Sequence, residues 1–78
     1  MENVVILDPR NVIGKKVIME KYGTVPMIFE DTNDKGEKVW LFTESQRVVI
    51  MTFQKDGQIR IDEHSENGST KLMAGNWK

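Results

Sequence analysis

A chain of 78 residues has room for one domain, near the lower size at which a single core is stable without staples. It contains no cysteine, which excludes a disulfide framework and a thiolate zinc site. Eleven Lys and Arg stand against twelve Asp and Glu, six against seven in residues 1–39 and five against five in residues 40–78. That balance weighs against affinity resting on phosphate neutralisation and against mimicry of DNA by massed carboxylates.

In chain order, the first apolar run is Val4, Val5, Ile6 and Leu7. It is too short for a signal-peptide core or a membrane span, and a cytoplasmic protein is expected. Residues 8–22 read in two ways. Asp8-Pro9 fits a helix N-cap followed by proline at the first helical position, with Val12, Ile13, Val17 and Tyr22 on roughly one face and Gly23 as terminator. Gly14 in mid-segment and the β-branched content favour the other reading, a strand over residues 15–23. Strand is therefore expected, with a short helix within 9–22 as the alternative.

Glycine turns punctuate the rest. Strands over 25–30 and 38–43 flank a turn at 32–36, and either loop length sets Phe29 against Trp40 or Leu41, burying it. Pro26, with no N–H to give a sheet, belongs at a strand start or on an edge. The segments 46–53 and 58–62 flank Lys55-Asp56-Gly57. A three-residue loop there pairs Phe53 with Ile59 and Met51 with Ile61, puts Gly57 in the left-handed position of a bulged turn, and gathers Val49, Met51, Phe53, Ile59 and Ile61 on one apolar face. Val48, Ile50 and Thr52 share the other face, so this strand is apolar on both sides, as in a barrel wall or sandwich. A three-residue loop at Glu66-Asn67-Gly68 would set Ile61 against Met73 and Glu63 against Lys71, giving a last strand from about Ser69 to Met73. The fold class expected is all-β: a five- to six-stranded antiparallel meander forming a small barrel or rolled sheet, one domain over 1–78.

Candidate chemistry is sparse. Asp62, Glu63, His64 and Glu66 superficially resemble a metal cluster, but strand alternation splits them and one histidine without cysteine makes a poor zinc site. The oxygen-rich Asp31–Glu37 stretch lacks the Glu that closes a calcium loop, Phe42 standing at that position. The terminal Gly75-Asn76-Trp77-Lys78 matches a tetrapeptide of triosephosphate isomerases, in a chain far too short for that barrel. Ser45, Ser65 and Ser69 lie in turns without a glycine-elbow context, and no phosphate-binding glycine loop is present. No catalytic residue, cofactor or metal site is therefore expected, and the protein reads as no enzyme.

The acidic hairpin followed by Val39-Trp40-Leu41-Phe42-Thr43-Glu44 is loosely similar, in strand–turn–strand patterning, to small phage-encoded inhibitors such as uracil-DNA glycosylase inhibitor. The pronounced acidity of that inhibitor is absent here. The resemblance transfers no residues and implies only that a cysteine-free β domain of this size can act by blocking a partner.

Two function classes follow. The first is a non-enzymatic protein-binding module, a regulator or inhibitor of the kind encoded by viruses or mobile elements, contacting a protein partner through an exposed sheet edge and its neighbours. Its candidate contacts are Trp77, Trp40, Pro26 and Met73, with Trp77 either an anchor or a cap on the core. The second is a small nucleic-acid-binding barrel with Trp40, Phe42 and Phe53 stacking bases beside Arg47, Lys55 and Arg60. Charge balance favours the first.

Overall fold

The computed structural model describes residues 8–78, so the apolar run at 4–7 lies outside the described residues. One helix, α1 (Pro9–Tyr22), precedes five strands: β1 (Phe29–Thr32), β2 (Lys38–Glu44), β3 (Arg47–Phe53), β4 (Gln58–Ser65) and β5 (Gly68–Asn76). The strands form one antiparallel meander in the order β1-β2-β3-β4-β5. The five-stranded antiparallel fold expected from the sequence is present. Among the described residues the sheet is open, with β1 and β5 as its two edges, and does not close into a barrel.

The strand expectation for 15–23 is overturned, and the helical alternative holds. Both ends of α1 are capped. The Asp8 carboxylate accepts the Arg10 N–H at 3.0 Å and Pro9 fills the first turn. Gly23, at φ 75°, ends the helix by donating its N–H to the Met19 carbonyl at 3.0 Å. Gly14, which argued against helix, is where the helix touches the sheet. A Cβ there would stand 2.5 Å from Trp40 Cζ3 and 2.8 Å from Phe53 Cζ, so only glycine allows this approach. Tertiary packing outweighs the roughly 1 kcal/mol that glycine costs inside a helix.

The helix covers one face of the sheet. Ile18, Trp40, Phe42, Val49, Met51, Phe53, Ile59 and Ile61 form the buried core. The Lys55-Asp56-Gly57 register is the expected one, with Phe53 opposite Ile59 and Met51 opposite Ile61. Gly57 has φ 95°, and its N–H closes the turn onto the Gln54 carbonyl at 2.9 Å. The 33–37 turn repeats this pattern, with Gly36 at φ 77° and its N–H on the Asn33 carbonyl. That sets Phe29 opposite Leu41.

Three expectations need correction. First, Phe29 is paired with Leu41 but is not buried: this pair points away from the helix, and Phe29 is 66% exposed. The first strand also starts at Phe29, later than the expected 25, because Pro26 has no N–H to contribute to a ladder. Second, the last hairpin turns in two residues, Glu66 and Asn67, so Ile61 faces Leu72 and Glu63 faces Thr70. Leu72 competes with Met73 for the core position and wins it, packing against the cluster while Met73 turns outward. A bulge between the pairings of Gln58 and Arg60, with Gly75 at φ 104°, then absorbs the odd residue. Third, β3 is apolar on both sides, but among the described residues a layer covers it on one side only.

Candidate interaction surface

Alternation along the strands creates two unlike faces. On the helix side a polar clasp closes the open end of the core. Tyr22 donates its hydroxyl to Glu63 Oε1, and Arg47 bridges Glu63 at 3.3 Å and Glu44 at 3.0 Å. The Arg47 guanidinium lies 5.6 Å from the Tyr22 ring centroid, and Tyr22 meets Phe42 edge-on at 5.5 Å. Burial, and then the hydrogen bond to Glu63, push the Tyr22 phenol well above the ordinary tyrosine range. At the other end of α1 the Arg10 side chain holds the Asp8 carboxyl below its usual value.

The far face has no second layer among the described residues. Val39, Leu41, Val48 and Ile50 of β2 and β3 continue its apolar character, while β4 and β5 supply Arg60, Asp62, His64, Ser69 and Lys71. Where β1 gives out, a groove of about 270 Å³ opens, lined mainly by Pro26, Met27, Phe29, Leu41, Thr43 and Val48. Met27 is 78% exposed beside it. Clustered exposed apolar side chains of this size carry more information than scattered ones.

The sequence-predicted contacts scatter across this arrangement. Trp40 is 3% exposed beneath Gly14, with its indole N–H on Glu30 at 3.1 Å, so it is a core residue and offers no surface to a partner. Trp77 folds back as a cap: its indole N–H donates to the Gln54 carbonyl at 2.8 Å and its ring meets Phe53 edge-on. Trp77 is half-buried, with the Arg10 guanidinium 5.7 Å and Lys78 Nζ 5.3 Å from its ring centroid. Pro26 is half-buried in the connection before β1 and lines the groove. Met73 is exposed on β5, opposite Arg60. The aromatic platform imagined for nucleic acid is absent from the surface, because Trp40, Phe42 and Phe53 are all buried.

Sequence reading missed two features. His64 Nδ1 lies 2.8 Å from Ser69 Oγ across the β4–β5 pair, a contact invisible until the register is known. The pair is exposed, and no carboxylate orients the imidazole among the described residues, so it lacks the third member that activates a serine. The turn between β2 and β3 consists of Ser45 and Gln46, both at positive φ (47° and 63°). This mirror-image turn normally selects Asn-Gly, and without that pair at 45–46 the sequence signals a turn at Ser45 but not its two-residue type.

Acidic groups collect along β1. Glu30 is engaged by Lys38 at 2.9 Å and by Trp40, which together hold its carboxyl below the usual range. Asp31 accepts only the Thr32 N–H at 2.7 Å and has no cationic partner among the described residues. The described residues include no helix long and apolar enough to cross a membrane and no group of three or more His, Cys, Asp or Glu side chains placed to hold a metal ion. No protein-family model, curated protein or solved structure matches the chain.

Proposed function

We propose that this chain is a non-enzymatic protein-binding module that regulates or blocks a partner protein in the cytoplasm, and that it does so with the far face of its sheet. The observation that carries the reading is the one-sided layering. Among the described residues five strands are covered by a single helix, and the other side keeps Phe29, Leu41, Val48 and Ile50 at its centre-to-β1 half. Solvent-facing strands of antiparallel sheets are ordinarily polar on that side, so an apolar half-face costs solubility unless something uses it. The nucleic-acid alternative loses its support, since the aromatics it needed are in the core and the charge is balanced.

The test compares two faces of the same molecule. The full chain carrying a photo-crosslinking side chain at Val48, on the far face, or at Lys16, on the exposed helix surface, is irradiated in an extract of the source cells. A single saturable product at Val48, competed away by unlabelled protein and absent at Lys16, is expected. Equal labelling at both positions, or none at Val48, overturns the reading.

A further inference from the structure

The partner's chemistry can be read from the β1 edge, on the premise that the protein-binding reading is right. We infer that β1 accepts an extended segment as a sixth strand, one that places a large apolar side chain and a basic side chain two residues apart on the far face. Three observations converge. Among the described residues no strand pairs with the outer backbone of β1, and all four of its residues are exposed. A strand laid along this edge alternates its side chains between the two faces. On the far face it therefore meets Phe29 and then Asp31, the next residue of β1 on the same side.

Beside Phe29 lies the groove, with Pro26, Met27 and Val48 as its walls, and its volume suits one aromatic or leucine side chain. Asp31 itself presents a carboxylate with no cationic partner among the described residues, whose complement is Lys or Arg. On the helix side of the same edge Glu30 is already held by Lys38 and Trp40, so no second charge is asked of the partner there. The apolar–basic pair is thus confined to one face. The opposite edge offers less: β5 is longer, but its ladder is interrupted by the bulge near Gly75 and its one charged residue is Lys71.

The probe is a phage-displayed library of random linear peptides panned against the full chain. The retained peptides are then synthesised and measured by fluorescence polarisation and by amide chemical shifts. Enrichment of a large apolar and a basic residue at alternate positions is expected, with shifts centred on residues 27–32. Phe29→Thr should weaken these peptides about tenfold through lost apolar contact. Asp31→Lys should weaken them about fivefold and favour versions with Glu in place of the basic residue. Both substituted side chains are exposed, so the variants keep the fold, which circular dichroism checks. Enriched peptides that bind both variants as well as the parent, or that shift β5 instead, overturn the β1 assignment while leaving a protein-binding module standing. No enrichment at all overturns both.

Discussion

The two faces of this sheet are built from the same strands, and β2 and β3 give apolar residues to both, yet only one face is buried. Toward the helix, Trp40, Phe42, Val49, Met51 and Phe53 are buried; away from it, Leu41, Val48 and Ile50 of the same two strands lie at or near solvent. The difference is set by one helix and by the glycine that lets it descend. A binary pattern specifies which residues share a face, but only the covering layer decides which face is the core. Where a chain supplies apolar residues to both faces and, among the described residues, a cover to one, the surplus is the surface on which the proposed recognition rests.

A large effect is expected from breaking this comparison at Met51. Its side chain is wholly buried, and Met51→Ala should cost about 2–5 kcal/mol in chemical denaturation. The neighbouring Ile50→Thr, on the far face, should cost under about 1 kcal/mol. Equal losses would mean that the far face is also covered in solution.

Next comes the cover itself. An exposed Gly→Ala change inside a helix normally gains about 1 kcal/mol. At Gly14 the new methyl would meet the Trp40 and Phe53 rings, so Gly14→Ala should instead lose about 1–3 kcal/mol, the cost of overpacking. The sign of the change in melting temperature decides the matter. A rise would show that the helix does not rest on Trp40.

Much of the covered face was legible because two of its turns carry their chemistry in the sequence. Lys55-Asp56-Gly57 fixed the β3–β4 register, and with it five core residues, since glycine alone sits comfortably at positive φ. The β4–β5 register was misread by one residue because Gly68 suggested a longer loop and Leu72 and Met73 are both apolar. The helix was misread because Gly14 and the β-branched residues carry an intrinsic penalty that only the sheet beneath can offset. The surface was the least legible part. Trp40 and Trp77 drew attention by size, whereas what distinguishes the groove, Phe29 turned outward and β1 starting late, depends on pairing.

The clasp at the end of the helix should have an intermediate effect. Tyr22→Phe removes the hydroxyl donated to Glu63 and should cost about 1 kcal/mol, with Arg47 and Lys21 still serving the carboxylate. Tyr22 is the only tyrosine, so its ionisation can be followed by ultraviolet absorbance. Because the folded phenol is raised above its unfolded value, the clasp contributes fully below the ordinary tyrosine range and is lost as pH rises through the raised value. The titration should begin above pH ~10 in the native protein. Glu63→Gln should move it downward, by removing the carboxylate that holds the proton. A native titration at the ordinary position would detach Tyr22 from Glu63.

The smallest expected effect is the most telling for function. Phe29 and Phe53 are the same residue type on opposite faces, one 66% exposed and the other 1% exposed. Phe53→Ala falls in the class that costs about 3–5 kcal/mol. Phe29→Thr should change stability by no more than about 0.5 kcal/mol, because the side chain gains little burial on folding and threonine suits a strand. Thermal unfolding at low protein concentration measures this, and repeating it at tenfold higher concentration reports any self-association that covers the face. A loss above about 1 kcal/mol would mean that Phe29 holds the fold together and is not free for a partner. An unchanged melting temperature, with peptide binding lost, would separate the two faces as sharply as their side chains suggest: one kept for the protein itself, the other for what it binds.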